Sequence, residues 1–184
     1  MTTKLEVTYE ATPNPETYKF NINQRISEES VDFTDPNMSS RSPLAHKLFG
    51  FPWAESVFIG PTFVSVTKQS WVEWNILADP LSQLIKEHLE NGDPVLLPPQ
   101  DESFVEEEDS DVVTQIKKVI EYEIRPAVAM DGGDIVFSSY QNNIVYIHMR
   151  GACSGCPSAT ATLKNGIEVR LKEVIPEIKE VIAL

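Results

Sequence analysis

The sequence predicts an α+β protein in which two small α/β domains are joined by an acidic, flexible linker. Hydrophobic residues make up 41% of the 184 residues, which is enough to build buried cores. Apolar residues recur with the period of strands in some segments and with the period of helices in others, in both halves of the chain. Between the halves, residues 98–111 contain seven acidic residues and no basic residue.

The acidic stretch carries about half of the net charge of −13. Like charges repel one another and bury little surface, so the stretch is predicted to be a solvated spacer and not a docking site. We therefore predict a first domain at residues 3–95, a linker at 96–111 and a second domain at 112–184.

The first domain is predicted to mix strands with helices. Apolar residues alternate along its strand segments, and the pair Ser42-Pro43 is typical of a helix start with a serine cap. Gly60-Pro61 is predicted to turn a hairpin. In chain order, the predicted elements are strands at 5–9 and 18–22, a helix from 43, strands at 56–59 and 63–67, and a helix at 80–89.

Two tryptophans, Trp71 and Trp74, precede the last of these helices. Tryptophans three residues apart commonly pack in a core, so both are interpreted as structural. This half contains no cysteine, no glycine-rich phosphate loop and no pairing of histidine with a carboxylate that suggests catalysis.

The second domain is predicted to begin with an amphipathic helix at 112–124, which Arg125-Pro126 either ends or extends with a second short helix. Asp131 and Asp134 flank a glycine pair and are interpreted as turn-forming residues, not as a catalytic carboxylate pair. A hairpin at 135–140 and 144–149, a helix after Pro157 and an edge strand at 177–182 complete the prediction.

The only two cysteines, Cys153 and Cys156, are spaced C-x-x-C between the predicted strand and the helix that begins near Pro157. The nearby Gly151 and Gly155 permit backbone angles that let two sulfurs face one centre. A helix N-terminus carries a partial charge of about +0.5 and free amide donors, which favour thiolate over thiol. The sequence therefore predicts an accessible pair of thiolates with low pKa.

Two thiolates supply half of the four ligands that tetrahedral zinc or an iron-sulfur cluster normally takes. His46, His88 and His148 are the candidate histidines, but none has a ligand-like spacing to the cysteines, and His148 is predicted to face solvent. A second copy of the chain across a two-fold axis would supply two more sulfurs. Ligation by sulfur alone favours iron-sulfur clusters or zinc.

Three other uses of the cysteine pair compete with a shared iron-sulfur cluster. A structural disulfide is disfavoured because the chain shows no sign of secretion. A thioredoxin-like dithiol is disfavoured because only 28 residues follow Cys156, too few for the rest of that fold. A structural zinc ion that bridges a dimer stays open.

Composition also excludes several functional classes. No apolar run reaches the roughly 18 residues of a membrane span, and no basic stripe offers cations to nucleic-acid phosphates. The first residues resemble neither a signal peptide nor a transit peptide, so the protein is expected to stay where it is made, which is the cytoplasm in a bacterium. A processed form in the mitochondrial matrix would have a similar sequence.

An ordered set of motifs resembles one family. The second domain resembles the NifU-like C-terminal (Nfu) iron-sulfur domain, and the first resembles the Nfu N-terminal domain. The motifs of the second domain that carry its resemblance are MDGGD at 130–134, GACSGCPS at 151–158 and LKNGIE at 163–168. The motifs of the first domain that carry its resemblance are TPNP at 12–15, KF at 19–20, RSPLA at 41–45, FIGP at 58–61 and VSVTK at 64–68.

The resemblance implies an iron-sulfur cluster carrier or scaffold and not an enzyme. It places the cluster ligands on Cys153 and Cys156, with a labile [4Fe-4S] cluster shared between two subunits of a homodimer. It implies upstream cluster assembly proteins and apo-protein clients as partners. A dithiol-disulfide oxidoreductase remains the alternative function, and the first domain is expected to recognise partners or to restrain the dimer.

Overall fold

A computed structural model describes residues 4–98, 109–155 and 157–184, without the side chains of 157–159. These residues fall into two compact units, one on each side of the acidic stretch. Each unit combines helices with its own sheet, which confirms the predicted α+β class. The middle of the predicted linker, residues 99–108, lies outside the described residues.

The first unit contains a five-stranded antiparallel sheet with the strand order β1-β2-β5-β4-β3. A 3-10 helix precedes α1, and α2 follows the last strand. The elements are β1 (Val7–Ala11), β2 (Thr17–Ile22), β3 (Val31–Phe33), the 3-10 helix (Pro36–Arg41), α1 (Pro43–Phe49), β4 (Ala54–Ile59), β5 (Phe63–Lys68) and α2 (Trp74–Glu90).

Both helices and the sheet of the first unit contribute to one core. Phe20, Leu48 and Ile85, from β2, α1 and α2, are fully buried in it. The predicted cap of α1 is confirmed: Ser42 Oγ accepts from the Ala45 amide at 3.0 Å. The same hydroxyl donates to the Val95 carbonyl at 2.7 Å, which binds the chain after α2 to the start of α1.

Helix α2 begins at Trp74, six residues before the predicted start at Pro80. Pro80 lies inside the helix, where its missing amide costs one hydrogen bond. Trp74 compensates at the start, because its ring stacks on Tyr18 at 4.3 Å and its Nε1 donates to the Pro15 carbonyl. The structural interpretation holds for Trp74, but it is wrong for Trp71, whose side chain is 67% exposed.

The second unit contains a three-stranded sheet with the order β6-β7-β8. Strands β6 and β7 form the predicted antiparallel hairpin, and β8 pairs in parallel with β7 after the crossover through α5. The elements are α3 (Asp111–Val119), a π-helical segment (Ile120–Ile124), α4 (Arg125–Met130), β6 (Gly133–Gln141), β7 (Ile144–Gly151), α5 (Pro157–Val174) and β8 (Glu180–Ala183).

The first helical region of this unit changes its winding twice. Helix α3 passes into the π-helical segment, and the Arg125 amide then donates to the Ile120 carbonyl five residues earlier. Pro126 near the start of α4 does not end the helical region, so the second of the two predicted alternatives is confirmed. The side chains of this region close over the sheet in a core that includes Ile116, Val128, Ile147 and Leu171.

Candidate metal centre

Cys153 lies on the turn between β7 and α5. Gly151 (φ 64°) and Gly155 (φ 82°) both take the left-handed backbone conformation that favours glycine. Within the turn, the Ser154 amide and hydroxyl both donate to the Gly151 carbonyl, at 3.1 and 2.9 Å. The Thr160 hydroxyl from α5 donates to the Cys153 carbonyl at 3.1 Å. Cys156, the second predicted ligand, lies outside the described residues.

The side chain of Cys153 is packed inside the second unit, with only 4% of the residue exposed. The start of β6 forms the wall beside it. A Cβ added to Gly133 would overlap the Cys153 sulfur and would lie 2.8 Å from the Arg150 carbonyl oxygen. The absence of a side chain at Gly133 is therefore what makes room for the thiol.

The predicted low pKa of an accessible thiolate is wrong for Cys153. Burial, together with the negative charges of Asp131 and Asp134, raises the pKa of this thiol to about 12. Helix α5 begins only at Pro157, and the electrostatic effect of a helix terminus fades within its first turn. Desolvation therefore exceeds the effect of the helix, and the thiol carries its proton at neutral pH.

Asp134 forms a buried ion pair that the sequence analysis missed. Its two carboxylate oxygens accept from Arg125 Nε at 2.7 Å and from Arg125 Nη2 at 2.9 Å. Arg125 Nη1 also donates to Glu121 at 2.6 Å, and these hydrogen bonds raise the pKa of Arg125. The turn-forming interpretation is therefore wrong for Asp134. No local pattern marks the pair, because its members are nine residues apart and belong to a helix and a strand.

The candidate histidines all have other surroundings. In the first unit, His46 Nδ1 lies 3.1 Å from Ser39 Oγ, and the buried His88 has Nε2 3.0 Å from the Pro94 carbonyl oxygen. His148 is exposed on β7, as predicted. Across the described parts of the chain, no three His, Cys, Asp or Glu side chains are grouped to hold a metal. A centre at Cys153 therefore requires ligands from beyond this set.

Among the helices that the structure describes, none combines the length and the apolar character that crossing a bilayer requires. At the turn itself, the groups available for chemistry are one buried thiol, a second cysteine three residues later in sequence and a nearby ion pair.

Two family models match the chain, one in each unit. The model described as scaffold protein Nfu/NifU N terminal matches residues 7–92, and the model described as NifU-like domain matches residues 116–182. The second match contains the turn with Cys153, the buried pair of Arg125 with Asp134, and Gly133.

Curated relatives match nearly the whole chain. The human protein named NFU1 iron-sulfur cluster scaffold homolog, mitochondrial, is 38% identical over 174 residues, which cover 92% of this chain and 68% of the relative. The Arabidopsis thaliana protein named NifU-like protein 5, mitochondrial, is 37% identical over 179 residues, which cover 94% of this chain and 65% of the relative. The chain thus spans about two thirds of the length of these relatives.

A solved structure is also similar to part of the chain. It is the solution NMR structure of a NifU-like protein from Saccharomyces cerevisiae, with 28% identity and a TM-score of 0.45, covering 52% of this chain and 88% of the yeast chain. From the two family models and the long matches to relatives, we conclude that the chain belongs to the Nfu family, with an Nfu N-terminal domain followed by a NifU-like domain.

Proposed function

We propose that the protein carries iron-sulfur clusters: it binds a labile [4Fe-4S] cluster through Cys153 and Cys156 of two subunits and transfers it to apo-proteins. The observation that carries the proposal is that the only cysteine pair in the sequence, Cys153 and Cys156, falls within the residues that the NifU-like domain model matches. The human relative, named as an iron-sulfur cluster scaffold, supports it.

The number of sulfurs supports a shared cluster. One chain provides two thiolates, whereas a [4Fe-4S] cluster usually takes four cysteine ligands. Two chains related by a two-fold axis provide four, in the commonest symmetry of soluble homo-oligomers. The cluster is cargo in this proposal, and the dimer forms when the cluster is bound.

The environment of Cys153 favours weak holding over permanent binding. Iron must displace a proton from a thiol whose pKa is about 12, and metal affinity falls when ligands must first be deprotonated. Thiolates of a client can then replace Cys153 and Cys156 on the iron atoms, and the two cysteines take up protons again. This exchange of ligands leaves the four irons and four sulfides together and requires no oxidant or reductant.

Partners and compartment follow from the same proposal. Apo iron-sulfur proteins receive the cluster, and upstream assembly proteins load it, so the protein acts as a carrier and not as an enzyme. Both relatives described above are named as mitochondrial proteins. That naming supports the mitochondrial matrix as the compartment if the chain comes from a eukaryotic cell.

The alternative of a dithiol oxidoreductase has less support. Attack on a disulfide requires a thiolate, and the raised pKa leaves Cys153 almost entirely protonated at neutral pH. An oxidoreductase of this kind would have to use Cys156 as its attacking group.

Anaerobic reconstitution with iron and sulfide tests the proposal. We expect visible absorption, a dimeric native mass, and about four irons and four sulfides per dimer. Cys153→Ser and Cys156→Ser should each abolish iron binding and dimer formation, whereas His148→Gln, an exposed change on β7, should load like the wild type. A colourless monomer that reduces disulfides would support the oxidoreductase instead, and a colourless zinc dimer would make the site structural.

A further inference from the structure

We infer that Arg125 and Asp134 are positioning residues for the cluster site, because their ion pair holds Gly133 against the sulfur of Cys153. The inference names residues of the proposed cluster site and so rests on the proposed function. Four features of the second unit lead to it: the geometry of the pair, the winding of the helix before it, the contact at Gly133 and the contrast with other ion pairs.

The pair connects helix α4 to strand β6 across the turn between them. Arg125 is the first residue of α4, and Asp134 is the second residue of β6. The two N–H donors of Arg125 meet the two oxygens of Asp134 at 2.7 and 2.9 Å. Two parallel hydrogen bonds fix orientation as well as distance, so the start of β6 is fixed relative to α4.

The π-helical segment helps to place the guanidinium. This segment ends where Arg125 begins α4, and its member Glu121 accepts from Arg125 Nη1 at 2.6 Å. Short π-helical insertions occur frequently at functional sites. With Glu121 on one side and Asp134 on the other, the Arg125 side chain is held from both directions.

Gly133 transmits this position to the cysteine. It is the direct neighbour of Asp134, it lies opposite Gly151 in the β6–β7 register, and its Cα faces the Cys153 sulfur so closely that a Cβ would overlap it. The Ala152 amide donates to the Gly132 carbonyl at 3.2 Å, which joins the two chain segments once more. A displaced start of β6 would therefore remove the wall against which the sulfur rests.

The pair differs from the other ion pairs of its unit. Asp134 has 6% of its side chain exposed, whereas Glu123 and Glu173, the partners of Arg170, have 42% and 58% exposed. A buried ion pair often adds little net stability relative to apolar residues of similar size, but removing one partner leaves an uncompensated buried charge. The Arg125–Asp134 pair therefore contributes more by fixing the position of Gly133 than by adding net stability.

The first experiment uses the full-length apo-protein with Cys156→Ser, so that Cys153 is the only thiol. The rate of its alkylation by iodoacetamide reports how far the sulfur is exposed. We expect Arg125→Gln and Asp134→Asn to raise this rate by about tenfold through local opening. Arg125→Lys retains the charge but loses the paired hydrogen bonds, so its alkylation rate should lie between those of the wild-type residue and Arg125→Gln. If Arg125→Gln does not fold, the rate of Arg125→Lys takes its place in the comparison.

Two control variants separate position from general stability. Val181→Ala removes core volume from β8 of the same unit. Its alkylation rate is compared with that of each test variant at urea concentrations that give the two proteins the same free energy of unfolding. Arg170→Gln removes two exposed ion pairs and should leave the rate unchanged. Loss of Arg125 and loss of Asp134 change the charge near the sulfur in opposite senses, so acceleration by both identifies position as the cause.

The second experiment follows the cluster in the Arg125→Lys protein with Cys156 intact. The visible absorption should disappear faster than in wild type when an iron chelator is added. If the alkylation rates of the Arg125 and Asp134 variants do not exceed that of Val181→Ala at matched stability, the inference is overturned. If wild type takes up no cluster, the proposed function fails, and the alkylation comparison still decides whether the pair positions Cys153.

Discussion

Gly133 carries the tightest steric constraint at the candidate site. We expect Gly133→Ala to destabilise the second unit by about 1–3 kcal/mol. The new methyl group would overlap the Cys153 sulfur, and it would crowd the Arg150 carbonyl oxygen, which as a backbone atom cannot move away easily. The displaced sulfur should also lower the amount of cluster that the protein takes up. Urea unfolding and iron analysis after reconstitution measure the two effects.

Gly166 provides the matched control for this substitution. It lies in α5, and a Cβ added there would meet no atom within 4 Å. Gly166→Ala should stabilise the helix by about 0.5–1 kcal/mol through the lower backbone entropy of the unfolded chain. Equal effects of the two alanines on stability and cluster uptake would show that the contact at Gly133 has no special role.

The end of α2 contains a titratable group that should make the first unit sensitive to pH. His88 is buried, its Nε2 donates to the Pro94 carbonyl, and its Nδ1 has no hydrogen-bond partner among the described residues. Burial lowers the pKa of His88, and Lys47 adds to this change. The hydrogen bond to the Pro94 carbonyl and the carboxylate of Asp93, 3.8 Å from Nδ1, oppose it.

Because its folded-state pKa is lowered, His88 binds a proton more readily in the unfolded chain. Its contribution to stability is complete above the unfolded value near 6.5 and decreases as the pH falls toward the folded-state value. We expect the urea midpoint of the first unit to fall between pH 7.5 and pH 5, and His88→Gln to reduce that fall. Asp93, whose pKa is lowered by Lys47, titrates below this range.

The control for the pH prediction is His46→Gln, which removes a histidine from α1 of the same unit. This variant should retain the pH dependence of the wild type. If His88→Gln retains it as well, another group is responsible for the loss of stability in acid.

Local patterns in the sequence predicted the elements that local chemistry determines. The serine cap and proline at the start of α1 are one case, and the hairpin turn of β6 and β7 is another, because Asn142 and Asn143 accept the positive φ angles that a tight turn needs. The C-x-x-C spacing marked the turn before α5 as the candidate site, and the ligand roles of Cys153 and Cys156 stay a prediction.

Elements that depend on distant contacts were missed or misplaced. The start of α2 lies before Pro80 because Trp74 packs on Tyr18, which is more than fifty residues away in sequence. The pKa of Cys153 is raised by burial under Gly133, whereas the sequence shows only the helix that follows. Tertiary packing therefore determined each feature that the sequence pattern did not predict.

At the scale of the whole molecule, we propose that the predicted linker at 96–111 joins two domains that unfold separately. The two cores share no residue, and each contains a leucine with no exposed surface, Leu48 in the first and Leu171 in the second. Leu48→Ala should cost the first domain about 2–5 kcal/mol and leave the second unchanged, with the reverse for Leu171→Ala.

Tryptophan fluorescence distinguishes the two transitions, because Trp53, Trp71 and Trp74 all belong to the first unit. Hydrogen exchange of the amides in β7 reports on the second unit. A single transition that both substitutions shift equally would show that the chain unfolds as one cooperative body.

The two domains are proposed to have separate roles, cluster binding in the second and partner recognition in the first. Removal of residues 1–97 should leave cluster loading unchanged, because Cys153, Gly133, Arg125 and Asp134 all lie in the second unit, which has its own core. We expect the shortened protein to transfer its cluster to several apo-proteins at altered relative rates, since the first domain is proposed to recognise partners. Transfer rates measured by the gain of client activity test this. Unchanged rates and selectivity would exclude partner recognition by the first domain, and failure to load would show that the second domain requires the first.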